Sequence, residues 1–346
     1  MKFELFKLIR ENVKGLKPYS SARDEYVSDG SEMVFMDANE SPYSNGVNRY
    51  PDPHQRQLKL LLARRNSLSV GNILLGNGSD EVLDLIFRAF CEPQKDNIIT
   101  MPPTYGMYNV LAGINAIENR EVLLTKNFEL DVEEILSAVD RNTKLILLCS
   151  PNNPTGNSFS AAHIETLLTN FQGLLVIDEA YIDFSDQKSW LNKLQQFPNL
   201  IVTRTFSKAY GMAGLRLGVG YASEDVIAIL NRIKPPYNVN ELTQSKAFKM
   251  LQNVDVIEEQ IKEILVERNC LAQNLAQIEF IREIYPTDAN FILVKVDDAD
   301  RRYREILDSG VVVRNRSSQA LCANTLRFTV GTPEENESLL RFLNTL

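Results

Sequence analysis

From Ile73 onward one pattern repeats along the chain: a short run of consecutive apolar residues, a polar turn, then apolar residues at helical spacing. Ile73-Leu-Leu leads through Gly76-Asn-Gly-Ser-Asp80 into residues 81–90, where Val82, Leu85, Ile86, Ala89 and Phe90 recur three and four apart. That spacing predicts a helix with one apolar face. Lys144-Leu-Ile-Leu-Leu-Cys149 and Leu174-Leu-Val-Ile177 are continuous apolar runs bounded by polar turns. Such runs suit central strands of a parallel sheet covered on both faces. Residues 161–170 between them read as a helix, and Asn97-Ile-Ile-Thr100, Leu200-Ile-Val-Thr203 and Leu217-Gly-Val-Gly-Tyr221 as further strands. Strands alternating with helices imply a doubly wound α/β layer.

The flanks read differently. Leu5, Leu8 and Ile9 share one face of a short amphipathic helix that Gly15 and Pro18 end, and residues 19–48 form a polar, turn-rich arm. Arg49-Tyr-Pro-Asp-Pro53 continues that arm into a helix over 55–65. After Lys234-Pro-Pro236 a long helical pattern runs over 242–278, with a break expected near Asn253. Three strand-like runs follow, Asn290-Phe-Ile-Leu-Val-Lys295, Val311-Val-Val-Arg314 and Thr325-Leu-Arg-Phe-Thr-Val330, with helices over 303–308 and 333–346. The expected organisation is an α/β chain in three parts. An arm over 1–39 joins the smaller unit, a large unit over 40–235 holds a mostly parallel sheet flanked by helices, and 236–346 form a smaller α+β unit.

Composition narrows the function classes. The 346 residues are 44% hydrophobic and 24% charged, ordinary for a globular protein of about two domains. A formal charge of −8 argues against a nucleic-acid surface. Charges interrupt the first residues every two or three positions, and no apolar run reaches membrane-spanning length, so neither an export signal nor a membrane segment is expected. Cys91, Cys149, Cys270 and Cys322 form no CxxC pair, which suits reduced thiols and a cytoplasmic location. With only His54 and His163 present, a histidine-based metal site or catalytic triad is not expected.

The chemistry gathers in loops at the expected carboxyl ends of strands, the edge where open α/β sheets bind ligands. In Gly76-Asn-Gly-Ser-Asp80 the glycines allow a tight turn, and Ser79 or Asp80 can cap the next helix. The loop serves either as a plain capped turn or as a cradle whose free N–H groups meet a phosphate. It lacks the Gly-Lys-Ser/Thr ending of a nucleotide triphosphate loop. Ser150-Pro-Asn-Asn-Pro-Thr-Gly156 is a rigid turn, and Asn153 before a proline can aim its amide at a fixed oxygen. Asp178, ending a buried strand before Glu-Ala-Tyr181, needs a partner, either another protein group or a protonated ring nitrogen. Tyr105, in Thr104-Tyr-Gly-Met107, offers an aromatic plate. Lys208 lies within Thr203-Arg-Thr-Phe-Ser-Lys-Ala-Tyr-Gly-Met-Ala-Gly-Leu-Arg-Leu-Gly218 between Ser207 and Ala209, with Arg216 eight residues on. Alone it could be an ordinary lysine at a strand-to-loop junction.

One ligand accommodates all of these parts. The Gly78-Ser79-Asp80 turn, Thr205, Ser207 and Arg216 suit a phosphate, and Lys208 an aldehyde. Asp178 suits a pyridinium nitrogen, Asn153 and Tyr181 a phenolic oxygen, and Tyr105 a ring face. That ligand is pyridoxal 5'-phosphate, whose binding signature is a Schiff-base lysine with an aspartate-paired ring nitrogen.

On these motifs the chain resembles the fold-type I, pyridoxal-phosphate-dependent aminotransferases over essentially its whole length, and within them the histidinol-phosphate aminotransferase family. The resemblance also rests on Asp37-Ala-Asn-Glu-Ser-Pro42, Asn48-Arg-Tyr-Pro51 and Leu326-Arg-Phe-Thr-Val-Gly331, and on Leu16-Lys-Pro-Tyr-Ser-Ser-Ala-Arg23, which is similar to the family's substrate-contacting arm. It implies a homodimer in which Tyr50 reaches the cofactor phosphate of the neighbouring subunit. It implies that Arg314 and Arg327 hold a substrate phosphate, that Tyr19 lies against an imidazole, and that Asn39 and Glu40 assist. Lys208, Asp178 and Tyr181 would carry the catalysis. The implied reaction moves an amino group between L-glutamate and imidazole-acetol phosphate. Alternatives on the same fold are an aromatic or general amino-acid aminotransferase and a threonine-phosphate decarboxylase. A binding protein that keeps the fold without turnover would need a DNA-binding segment that the arm is too short to supply.

Overall fold

The computed structural model describes residues 3–17 and 34–346. Seven strands form the larger sheet: β1 (Ile73–Asn77), β2 (Asn97–Thr100), β3 (Glu118–Glu121), β4 (Thr143–Cys149), β5 (Leu174–Asp178), β6 (Leu200–Thr205) and β7 (Leu217–Tyr221). Their spatial order is β1-β7-β6-β5-β4-β2-β3. Strand β7 runs antiparallel to both its neighbours, and every other pairing is parallel. The continuous apolar runs are explained by burial on both faces. Leu75, Ile99, Ile146, Leu148, Leu175, Ile177 and Val202 face one core, while Leu74, Ile98, Leu145, Leu147, Leu174, Val176 and Ile201 face another. Successive side chains of a strand point to opposite faces, so both alternate sets must be apolar.

The helix Ser79–Phe90 enters against β1 and β7. Its approach is close enough that a Cβ at Gly76 would stand 2.8 Å from Val82, and one at Gly220 2.7 Å from Val82. The glycines of the Leu217-Gly-Val-Gly-Tyr run therefore let a helix pack directly on the strand.

The smaller sheet is antiparallel throughout, in the order β10-β11-β9-β8, with β8 (Ile281–Ile284), β9 (Phe291–Val296), β10 (Arg314–Asn315) and β11 (Thr325–Thr329). Ile292, Val294, Leu326 and Phe328 face its own core with the helices Val254–Leu275 and Pro333–Leu343. The other face carries Phe291, Leu293 and Arg327 towards the large sheet's edge; Phe291 packs with Tyr181 and Ala209, and Leu293 joins the large core.

Several expectations need correction. The amino-terminal helix is two four-residue turns, Leu5–Leu8 and Glu11–Lys14. The Val311-Val-Val-Arg314 run contributes only Arg314–Asn315 as strand. Val311 donates its N–H to Ile306 O to close the preceding helix, and Val312 is exposed, so pairing begins late. The polar edge strand β3 carries no apolar signal and was not expected. The break near Asn253 is present, with Asn253 as the N-cap of Val254–Leu275 after Glu241–Leu251. No described helix is long and apolar enough to cross a membrane.

Candidate active site

Strands β1, β2, β4, β5 and β6 point the same way, so the loops after Asn77, Thr100, Cys149, Asp178 and Thr205 open along one edge. At its centre Asp178 ends β5 between Cys149 of β4 and Thr203 of β6. It is 2% exposed. Tyr108 donates its hydroxyl to Oδ2 at 3.2 Å, and the Ala180 N–H donates to Oδ1 at 3.2 Å. Among the described residues no lysine or arginine ion-pairs with it. Burial therefore pushes its carboxyl up to about 6, against the pull of the Tyr108 hydrogen bond. The next residue, Glu179, is fully enclosed and fixes the loop. It pairs with Arg204 at 2.9 Å and accepts from Ser189 Oγ at 2.7 Å and Trp190 N–H at 2.6 Å.

At the amino end of Ser79–Phe90, the N-cap is Gly78 at φ 84°, with no side-chain cap. This corrects the expected capping by Ser79 or Asp80: both lie inside the first turn. The consequence is a helix start whose first N–H groups take no side-chain cap. Gly218 makes room for it, since a Cβ there would run into the backbone of Gly78 and Ser79. Arg216, at φ 53°, lays its guanidinium over Gly78, 2.7 Å from where a Cβ would be, with Nη2 3.8 Å from Asp80 Oδ2. Thr205 Oγ1 donates to Ser207 Oγ at 3.0 Å, and Tyr105 donates its hydroxyl to Asp80 Oδ1 at 3.0 Å. Thus Gly78, Ser79, Asp80, Tyr105 and Arg216 are contiguous, and Thr205 and Ser207 sit together at the end of β6.

Lys208 stays open to the cleft, with Nζ 5.8 Å from the Tyr181 ring centroid. Partial burial of its ammonium, and then Arg327, push its pKa below the ordinary lysine value, while Asp178 pulls the other way. Tyr181 is buried edge-on against Phe291, with centroids 5.1 Å apart. Arg327 stacks over the same Phe291 at 4.9 Å and donates to Asn153 Oδ1. Because Arg327 holds the amide oxygen, the NH2 of Asn153 is left to donate elsewhere. Burial first, and then Arg316, bring the Arg327 pKa down to about 10.

Two residues of this cluster were missed in the sequence. Tyr108 reaches Asp178 from the helix Met107–Ile114. It lies three residues after Tyr105, which precedes that helix, and the spacing of the two tyrosines carries no sign of the contact with Asp178. Arg316 lies one position past β10, and the expected strand stopped at Arg314.

Other residues fall elsewhere. Asn39, Glu40 and Tyr50 line a second hollow with Asn240, Glu241 and Leu242, and its wall includes none of Lys208, Asp178 or Arg216. There Glu40 pairs with Arg49 at 2.8 Å and accepts the Tyr50 N–H at 2.6 Å, and the half-exposed Tyr50 stacks on Tyr237 at 4.5 Å. Arg314 is exposed on the small sheet opposite Arg327. Tyr19 lies outside the described residues.

The residues present fit pyridoxal phosphate. A buried carboxylate lacking a cation, an uncapped helix start beside an arginine, and a lysine of lowered basicity share one edge. A model for "Aminotransferase class I and II" matches residues 31–343. The chain belongs to the class I and II aminotransferases. Within this family it is 60% identical over 345 residues to a histidinol-phosphate aminotransferase of Flavobacterium johnsoniae, covering 99% of each chain. Among solved structures it is similar to the histidinol-phosphate aminotransferase of Clostridium acetobutylicum, at a TM-score of 0.79 and 25% identity over 86% of this chain and 90% of that one. The enzyme of that name from Sinorhizobium meliloti, solved with pyridoxal-5'-phosphate, gives a TM-score of 0.78 at 26% identity over 86% of this chain and 83% of that one. The aminotransferase fold thus agrees with the expected large mostly parallel sheet and smaller α+β unit.

Proposed function

We propose that this aminotransferase exchanges an amino group between L-glutamate and imidazole-acetol phosphate, giving 2-oxoglutarate and L-histidinol phosphate, in histidine biosynthesis. The observation that carries the reading is the convergence of Lys208, Asp178, Asn153 and Tyr181 at one sheet edge under Arg327. The 60% identical relative supports the substrate. Bound pyridoxal phosphate supplies an aldehyde that condenses with amines and a protonated ring that takes up electrons from the substrate α-carbon.

The chain's own residues do the rest. Asp178 keeps a ring nitrogen protonated by offering it a buried counter-charge. Arg216, Thr205, Ser207 and the N–H groups from Gly78 to Asp80 hold the cofactor phosphate, and Tyr105 covers the ring face. Asn153 and Tyr181 hydrogen-bond the phenolic oxygen. Lys208 would hold the aldehyde carbon of the cofactor, and its amine, less basic than a free lysine, would be the group placed to take a proton from the substrate α-carbon and hand it on. Arg314 and Arg327 hold the substrate phosphate, with Tyr19 at the imidazole end; Asn39 and Glu40, which share the hollow of Tyr50 away from Lys208, would assist there across the dimer, as Tyr50 does. The reading keeps residues 40–235 as the cofactor-binding unit and 236–346 as the substrate side; contrary to the expectation that the arm joins the smaller unit, its residues 3–17 pack on the large one, where Ile9 and Val13 enter the core and the Arg10 N–H donates to Ala89 O. It also includes a cytoplasmic homodimer in which Tyr50 reaches the partner's cofactor phosphate, which suits a half-exposed tyrosine in a hollow away from Lys208.

The test is steady-state transamination of 2-oxoglutarate with L-histidinol phosphate, L-phenylalanine and L-aspartate as donors. The reading expects the highest kcat/KM for histidinol phosphate. A higher value for either amino acid would make the protein a general aminotransferase, and carbon dioxide release from threonine phosphate would make it a decarboxylase.

A further inference from the structure

The short β10–β11 ladder places three arginines together. Arg314 lies opposite Arg327, and the ladder runs one residue further, where the Arg316 N–H donates to Thr325 O at 2.9 Å. Alternation along a strand then puts Arg314, Arg316 and Arg327 on one face, while Leu326 and Phe328 turn the other way into the small core. The arginine face looks at the cleft, since Arg327 reaches Asn153 and stacks on Phe291, which packs on Tyr181.

Among the described residues none of the three forms an ion pair with a carboxylate. The Nε atoms of Arg316 and Arg327 are buried without a hydrogen-bond partner. Half-buried like charges with unused donors are costly unless a ligand supplies the opposite charge. Arg316 belongs to this cluster electrostatically as well: after burial it is the foremost influence lowering Arg327, ahead of Arg314. A carboxylate carries one charge and is saturated by one guanidinium fork, whereas a phosphate monoester has three free oxygens and up to two charges.

The geometry points to Arg316 as a third guanidinium of the substrate-anion site, the one that favours a phosphate monoester over a carboxylate. This rests on the proposed reading that a phosphorylated substrate binds here, and extends it to a residue that reading did not use.

The test uses the holoenzyme, whose cofactor phosphate site is filled, and compares wild type with Arg316→Gln and Arg316→Lys. Removing one charge-assisted hydrogen bond weakens binding by about tenfold to hundredfold. Arg316→Gln should raise KM for histidinol phosphate and the inhibition constant of inorganic phosphate by about that factor. The KM for glutamate, which brings only carboxylates, should rise several-fold less. Arg316→Lys should recover part of the phosphate loss, because it restores charge without the fork. The rise in melting temperature on adding phosphate should shrink in Arg316→Gln. Equal increases for both donors would overturn the proposal, as would unchanged phosphate inhibition. If Arg316→Gln loses its cofactor absorption, Arg316→Lys carries the test, and a KM shift common to both donors there is the overturning result. Should wild type fail to prefer histidinol phosphate, the functional reading falls. The inhibition and melting measurements then still decide whether Arg316 binds phosphate.

Discussion

Along the edge of the large sheet, negative charge is enclosed: Asp178 sits 2% exposed between two strands, held by Tyr108 and by a backbone N–H. Across the cleft the small sheet presents Arg314, Arg316 and Arg327 without carboxylate partners among the described residues. Among the same residues Asp178 lacks a cationic partner, and the arginine face lacks an anionic one. On the proposed function, the buried edge would fix the cofactor and carry the proton transfer, while the arginine face would select what is brought to it. The edge is held by sheet and helix, whereas Arg314 and Arg316 hang on a two-residue strand beside the five-residue β11 that carries Arg327.

The largest expected effect lies at the edge. Lys208→Ala should lower transamination by roughly 10⁴-fold, the upper range for removing a positioned acid–base group. Glutamate formation from histidinol phosphate and 2-oxoglutarate measures it. Turnover near wild type would place the chemistry elsewhere and dissolve the contrast.

Asp178→Asn should act next, with a signature in pH. Burial raises the folded-state carboxyl to about 6, above the ordinary aspartate value. The folded chain without cofactor thus binds this proton more tightly than the unfolded chain. The group's contribution to stability is full below about pH 4, declines towards about pH 6 and stays low above it. A ring cation opposite Asp178 relieves that penalty, so added pyridoxal phosphate should raise the melting temperature more near neutral pH than near pH 5. In Asp178→Asn this pH difference should shrink, and turnover should fall by roughly 10²-fold or more. A pH difference of wild-type size in the variant would mean that Asp178 does not face the ring nitrogen.

Gly218→Ala is a smaller probe of the same edge. A Cβ there meets the backbone of Gly78 and Ser79, so the helix start must shift. The expected cost is about 1–3 kcal/mol of stability, with weaker cofactor retention. Thermal unfolding and cofactor absorbance read both. An unchanged variant would show that the helix start need not lie this close to β7.

How far each region could be read in the sequence follows the same contrast. Strands β4 and β5 announce themselves because both faces are buried, and Asp178 stands out because a carboxylate ends such a run. Gly218 and Gly220 make sense only once the helix lies across them. Tyr108 depends on a fold that brings residues seventy apart into contact, so nothing near it in the chain marks its hydrogen bond. The arginine face was half legible. Arg314 and Arg327 carry a family resemblance, but three consecutive valines suggested a strand ending at Arg314. The strand begins there, which is what turns Arg316 onto the same face.

Whether the arginine face chooses a phosphorylated substrate for chemistry done at the other edge is decided by one ratio. It is kcat/KM for L-histidinol phosphate over kcat/KM for L-histidinol on the same holoenzyme. Charge-assisted hydrogen bonds from two or more arginines predict a preference of about 10²-fold or more. A ratio near one would contradict the account.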